Sequence, residues 1–355
     1  MAAISVKISK TSKTRIHECD FNNTEFGKIF SDHMFRVDYT EGKWQEPQVL
    51  PFGPISISPA LSSLHYGQSI FEGMKAFKDQ NGNPQLFRPL ENHKRFNLSA
   101  ERMGMPTISE ELFLTGLLEV VKLDQNWIPT KEASALYLRP FMFATDDFIG
   151  VRPSNNYSFM IFCCPVSSYY PKPIKVRVEE KYVRAFDGMA GFAKAAGNYG
   201  ISMLPTMNAK KDGFDQIIWT DGREHKYVEE SGTTNLFFVL EEKTILTPAL
   251  DGNILNGITR DSCIKLLRDA GYEVLEQHVS MEKMYTYYKE GKLTDAFGTG
   301  TAAIIARFES ISYKGETLTL PEVSTRKISN WLHQQIIDIQ TSKTEDKFGW
   351  VMKVN

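Results

Sequence analysis

Two stretches of this chain place reactive side chains among neighbours that would let them act. In GMAGFAKAAGNYG, residues 188–200, Lys194 stands among Gly191, Ala193, Ala195, Ala196 and Gly197. Small neighbours leave room for a flat ligand beside the amine. A desolvated lysine also loses its proton more easily, which suits a Schiff-base nucleophile or a general base. The plainer reading is an exposed lysine in a small-residue loop. In KYVEESGTTNLFFVL, Glu229, Glu230, Ser231, Gly232, Thr233, Thr234 and Asn235 lead directly into an apolar strand. A carboxylate there could fix a ligand's protonated nitrogen. The Thr and Asn side chains would stiffen the turn by bonding its backbone, and a rigid turn is a good mount for a catalytic carboxylate.

Three further stretches suit an anion. Arg95 could share a helix face with Asn92 and Ser99, with Pro89 and Glu91 marking the helix start, and hold a phosphate or carboxylate bidentately. Taken alone, its plainer reading is solvent-exposed charge. In ILNGITRDSCIKLL, an Asn256-Gly257 turn leads into a helix starting near Thr259. Its first N–H groups and dipole would attract an anion, unless the Thr259 hydroxyl simply caps the helix. In AFGTGTAAII, Gly298 and Gly300 would let the backbone curl its N–H groups around an anion while Thr301 adds a hydroxyl. The same residues spell GxGxxA across Gly298, Gly300 and Ala303, a dinucleotide fingerprint. Only 52 residues follow it, too few for the remaining strands of such a domain. Three anion sites, an amine and a carboxylate match the needs of pyridoxal 5′-phosphate: a lysine for its aldehyde, an acid opposite its ring nitrogen and donors for its phosphate.

The elements that must position these residues are mixed. EELFLTGLLEVVKL, residues 110–123, puts Leu114, Leu117, Leu118 and Val121 on one helical face. Residues 261–270 put Ile264 and Leu267 together before Gly271, a helix-ending glycine. Ile328, Trp331, Leu332, Ile336 and Ile339 form a third stripe over 324–340. Strands are expected at Leu136, Tyr157, Ile174, Gln216 and Leu236, as apolar runs suited to sheets covered on both faces. SSYYPKP carries two prolines within three residues and no period. It sets the expected division: a smaller N-terminal α/β domain over 1–166, a linker over 167–173 and a larger C-terminal domain over 174–355.

Composition removes several classes. With 41 Lys plus Arg against 43 Asp plus Glu, the net charge of −2 gives no general attraction to nucleic acid or to an anionic membrane. Hydrophobic residues at 42% and charged residues at 24% exclude disorder. Cys19, Cys163, Cys164 and Cys263 form no CxxC pair, so buried reduced thiols are expected rather than zinc or disulfides. No apolar run is long enough to span a membrane, and no secretory core opens the chain. Residues 1–17 are rich in Ser, Thr and Lys, as transit peptides are, but hold a single Arg. The expected address is cytoplasmic, ahead of an organellar matrix.

Five motifs occur in order: LHYGQSIFEGMKAF from Leu64, LFRPLENHKRF from Leu86, GNYG from Gly197, ILNGITR from Ile254 and FGTGTA from Phe297. Together they resemble the branched-chain amino acid aminotransferases, from FGKIFSDHM at Phe26 to the C-terminal helix. The resemblance implies an α/β protein of fold-type IV, with a smaller α/β domain and a larger pseudo-barrel domain. It also implies a homodimer with sites at domain and subunit interfaces. It implies that Lys194 anchors pyridoxal phosphate and then moves a proton between substrate Cα and cofactor C4′, which needs a lowered pKa. Glu230 would pair with the ring nitrogen and Tyr199 with the ring hydroxylate. Arg95, Ile258, Thr259 and Thr301 would hold the phosphate. Phe26, Tyr66, Phe71, Tyr137, Arg139, Tyr169, Thr233 and Ala302 would contact substrate, with Arg139 accepting the distal carboxylate of glutamate.

The implied reaction is ping-pong transamination of leucine, isoleucine and valine with 2-oxoglutarate, giving branched 2-oxo acids and glutamate. A methylene is worth about 0.8 kcal/mol in an apolar pocket, so a shared preference among the three is expected. Animal members carry a redox CxxC where this chain has Ala303 and Ala306. The rivals within the fold are a D-amino acid transaminase and an aminodeoxychorismate lyase. Outside it stand a nicotinamide oxidoreductase and a cofactor-binding protein without turnover.

Overall fold

The computed structural model describes residues 4–167, 169–241 and 243–354. Contacts divide the chain into two units. The first comprises 1–169, 193–197 and 338–355, and the second comprises 170–192 and 198–337. The break after Tyr169 falls in the Pro-rich segment. Two pieces of the C-terminal half, however, make their contacts with the first unit. One is 193–197, which contains Lys194. The other is the chain end, where Val351–Lys353 pairs with Pro84–Phe87.

In the first unit the sheet runs in the order Lys7–Ile8, Gln48–Pro51, His33–Thr40, Tyr157–Val166, Ala135–Ala144, Met74–Lys78, Pro84–Phe87 and Val351–Lys353. Its central pair, Ala135–Ala144 and Tyr157–Val166, is buried along nearly its whole length, as the unbroken apolar runs require. Two helices cover it. Helix α1 spans Pro89–Arg102 and opens on proline at its first turn, where a missing N–H costs nothing. Helix α2 spans Glu110–Leu123, the predicted range, and Ser109 Oγ caps it by accepting from Leu112 N at 3.2 Å. Phe96 of α1, Phe113 of α2 and Phe159 of the sheet pack with ring centroids 5.3 to 5.8 Å apart. Gly116 sits mid-helix because a Cβ there would come within 3.0 Å of the Phe35 ring and Ile161.

The second unit holds another ten-stranded sheet, and part of it closes on itself. Ile174–Val178, Gln216–Thr220, β1 (Tyr227–Ser231), β2 (Thr234–Leu240), β3 (Leu293–Gly300) and β4 (Ile304–Tyr313) pair in a ring. The ring is completed by Glu230 opposite Asn235 and Ser231 opposite Thr234. Closure removes exposed edges, which accounts for the pseudo-barrel character. The β1–β2 link is Gly232 and Thr233, with Gly232 at φ +55°, the positive angle such a two-residue turn needs. Leu236, Phe238, Ile218 and Phe308 fill the core.

Helix α3 spans Ile258–Asp269, three residues earlier than the period alone suggests. The C-terminal helix is Lys327–Gln340, with Ile328, Leu332, Ile336 and Ile339 buried. Of the cysteines, Cys163, Cys164 and Cys263 are buried, and all four are free. Among the described residues no helix is long and apolar enough to cross a membrane. No cluster of side chains among them could hold a metal ion.

Candidate active site

Lys194 is held by backbone bonds on both sides. Its N–H donates to Ser99 Oγ at 2.9 Å, and its carbonyl accepts from Phe71 N at 3.1 Å. Ala195 bridges Ile70, and Ala196 N donates to Ser69 O at 2.9 Å. The small residues around Lys194 therefore let an extended segment lie against Ser69–Phe71 rather than form a free loop. The half-buried amine sits 4.8 Å from the Phe71 ring centroid. Such a contact stabilises an ammonium by about 0.5–1 kcal/mol at an exposed site and by more when desolvated.

Arg95, on α1, is 8% exposed and faces Glu72, which is fully buried. Its Nε donates to Glu72 Oε1 at 2.7 Å and its Nη2 to Oε2 at 2.9 Å. Asn92 Nδ2 adds a bond to Oε2 at 2.7 Å. Burial alone would raise the Glu72 pKa. The charge and hydrogen bonds of Arg95, then the charge of Lys194, outweigh it and hold the carboxyl below its ordinary range. Sequence reasoning missed Glu72, although a buried arginine on a helix demands a carboxylate partner. Lys75, also buried, is pushed down to about 8 by desolvation, making it a second lysine of the kind sought at Lys194.

The same unit brings together most of the predicted substrate residues. Phe26 meets Tyr137 at 4.9 Å and Tyr169 at 5.6 Å, both edge to face. Arg139 lies over Phe71 at 4.6 Å and over Tyr137 at 5.4 Å, and its Nη2 donates to the Tyr137 hydroxyl at 3.1 Å. The buried Arg139 Nε has no acceptor among the described residues. Gly73 is required here, because a Cβ would strike the Tyr137 hydroxyl. Tyr66 is exposed and its ring meets His65, at 6.2 Å, rather than this aromatic group.

The second unit orients a carboxylate. Glu230 is 3% exposed. Its Oε1 accepts from Leu255 N at 2.8 Å, and its Oε2 lies 3.1 Å from Arg184 Nε. Asn235, opposite Glu230 in the ladder, reaches Oε1 at 3.4 Å and donates to Leu255 O at 2.8 Å. Arg184, 8% exposed, donates in turn to the carbonyls of Gly191 and Asn253. No sequence signal distinguished Arg184 from other arginines.

Two of the proposed phosphate sites meet at one end of β2. Asn235 Oδ1 occupies the space a Cβ on Gly257 would need, so the start of α3 approaches this end. Gly257 is the N-cap, and no side chain caps the helix. Thr259 lies in the first turn, so its position does not make it the cap. At the same end Thr234 lies where Cβ atoms on Gly298 and Gly300 would be. These glycines lie on β3 and serve close packing, while Thr301 to Ala303 form the turn into β4. Ile304 closes that turn at φ +60°, a strained angle for a β-branched residue that the surrounding hairpin must hold. A strand, turn and antiparallel strand is not the strand-to-helix turn of a dinucleotide site, so the GxGxxA reading fails on geometry. Tyr199 and Thr233 line one cavity of about 710 Å³.

Each unit by itself holds groups that fit pyridoxal phosphate: in the second, a glycine-capped helix start, a threonine turn and a clamped buried carboxylate, and in the first, a positioned lysine. Residues 69–311 match the family of amino-transferase class IV. A probable branched-chain-amino-acid aminotransferase of Staphylococcus epidermidis is 46% identical over 340 residues, covering 94% of each chain. Branched-chain-amino-acid transaminase 1 of Bacillus subtilis is 43% identical over 340 residues, covering 94% of this chain and 95% of its own. Among solved structures, the T.th. branched-chain amino acid aminotransferase complexed with N-(5′-phosphopyridoxyl)-L-glutamate superposes with a TM-score of 0.72 at 28% identity, covering 90% of this chain and 98% of that one. The chain belongs to the class IV aminotransferases and has their fold-type IV architecture. The relatives named here are branched-chain aminotransferases.

Proposed function

We propose that this enzyme transfers the amino group of leucine, isoleucine and valine reversibly to 2-oxoglutarate, using pyridoxal 5′-phosphate, as a cytoplasmic homodimer. The single observation that carries the substrate reading is Arg139. One half-buried guanidinium, its buried Nε without an acceptor among the described residues, stacks among Phe71 and Tyr137. The rings offer apolar surface to a branched side chain, and the unmet N–H offers a bond to the distal carboxylate of glutamate. A ping-pong transaminase must accept both in one place.

The cofactor, when bound, supplies an aldehyde that takes up the amino group and a ring that withdraws electrons once its nitrogen is protonated. Lys194 would anchor the cofactor, and its Nζ would serve as the base that takes the proton from the substrate Cα. The Phe71 face steadies the resulting ammonium. Glu230, aimed by Arg184 and Leu255 N, would pair with the ring nitrogen, and Tyr199 would hydrogen-bond the ring hydroxylate. Arg95, the backbone of Ile258 and Thr259, and Thr301 would hold the phosphate. Glu72 fixes the angle of the Arg95 guanidinium. Phe26, Tyr66, Tyr169, Thr233 and Ala302 complete the substrate contacts.

Absorbance above the protein band, read before and after L-leucine and again after 2-oxoglutarate, tests the proposal. A lysine-linked band that leucine removes and 2-oxoglutarate restores supports both half-reactions. A band that responds to D-alanine and not to L-leucine would retain the family and overturn the substrate.

A further inference from the structure

Glu229 is the neighbour of Glu230 on β1, and strand alternation turns it to the opposite face. It is 2% exposed, and it lines a cavity of about 380 Å³ within the second unit. Among the described residues, neither Glu229 oxygen meets a hydrogen-bond donor. The same is true of Asn253 Oδ1 on the wall of that cavity. The Asn253 amide is oriented by its Nδ2, which donates to Asp187 Oδ1 at 2.9 Å, so the oxygen is the atom left over. Once Glu229 is ionised, three buried acceptors thus lack a donor, a costly arrangement unless something supplies one.

The other carboxylates on the cavity are largely occupied. Asp187 is paired with Arg223, and Asp221 accepts four backbone N–H groups. Asp251 accepts Asn253 N at 3.0 Å. With Glu224 added, five acids face Arg223 and His278, so the cavity favours a cation. The described residues provide no metal-ligating cluster. Phe186, Val228, Pro248 and Ile254 give apolar wall, which suits an organic body rather than a bare ion.

We propose that this cavity binds a small organic cation bearing N–H donors, an ammonium or guanidinium head on a short apolar chain, with the head bonded to Glu229 and Asn253. This site is independent of the transaminase reading. Burial raises the Glu229 carboxyl to about 8. The Arg184 charge opposes that rise, Asp251 and Glu230 add to it, and the nearby Asn253 amide lowers it slightly. The cation must ionise Glu229, so its affinity rises with pH through that value.

The test uses the full chain carrying pyridoxamine phosphate, which lacks the aldehyde that amines would attack. Titration calorimetry compares n-propylguanidinium and n-butylammonium with neutral n-propylurea. Either cation should bind one per chain, at least about tenfold tighter than the urea, as expected for a charge-assisted bond. Whichever binds identifies the head. Glu229→Gln should lose that margin and the pH dependence. Ala249→Trp, which fills the cavity, should abolish binding while leucine transamination is unchanged. Absence of saturable binding by both cations, equal binding of the urea, or undiminished binding by Glu229→Gln would each overturn the site and leave only water in the cavity.

Discussion

Each unit buries an Arg–Glu pair, Arg95–Glu72 in the first and Arg184–Glu230 in the second, and the two have opposite jobs. In the first, Glu72 spends both oxygens inside the protein, on Arg95, Asn92 and Gly73 N, so the carboxylate serves the arginine. In the second, Arg184 is tied to the carbonyls of Gly191 and Asn253, so the arginine serves the carboxylate, Glu230. The difference lies in the second set of partners: Glu72 adds Asn92 and Gly73 N to its arginine, whereas Arg184 adds two backbone carbonyls to its carboxylate.

The largest expected effect lies outside both pairs and sets the scale for them. Lys194→Ala should remove the lysine-linked absorbance and lower kcat by about 10³-fold or more, the upper range for a proton-transfer residue. An unchanged spectrum would move the anchor elsewhere, with buried Lys75 the first alternative to test. Next, Glu72→Gln leaves Arg95 buried without its counter-charge and should destabilise the protein by about 3 kcal/mol. It should weaken cofactor retention more than turnover of cofactor-loaded enzyme. Glu230→Gln should do the reverse, keeping cofactor while lowering kcat about 10²-fold. Measuring cofactor occupancy and kcat for both variants decides the comparison, and identical behaviour would end it.

Smaller effects sharpen the picture. Arg139→Ala should raise KM for glutamate about tenfold more than KM for leucine, the worth of one charge-assisted bond. Equal losses would remove Arg139 from the distal carboxylate. The buried acids also differ in pH behaviour. Glu72, held low, contributes stability above its unfolded value of about 4.3, lost as pH falls further. Glu229, held at about 8, binds its proton more tightly when folded, so its contribution fades as pH climbs from about 4.3 to 8. Melting temperatures across that window should fall less steeply for Glu229→Gln. A slope identical to the parent would place Glu229 in water.

Much of this could be read without coordinates, because local patterns are physical instructions. The spacing of Leu114, Leu117, Leu118 and Val121 defines α2 to the residue, and Pro89 opens α1 for the reason its ring requires. The uninterrupted apolar runs at Leu136 and Tyr157 became the buried central strands. Small residues around Lys194 signalled close approach, and the structure packs the Ser69–Phe71 backbone and the Ser99 hydroxyl against that segment.

The partnerships were out of reach. Glu72 lies 23 residues from Arg95, and Arg184 lies 46 from Glu230. No periodicity links such positions, since each pairing arises only when separate strands and helices meet. The glycines of FGTGTA looked like a backbone curl for an anion, yet the space they save is filled by Thr234 from another strand. Likewise, residues 193–197 follow the linker in sequence but add to the first unit by bonding Ser69 and Phe71. Composition and period determine which elements form and which face of each is apolar, because those depend on neighbours along the chain. Which charge each buried group meets, and therefore which acid is a prop and which a reagent, depends on neighbours in space, and only the tertiary structure decided it.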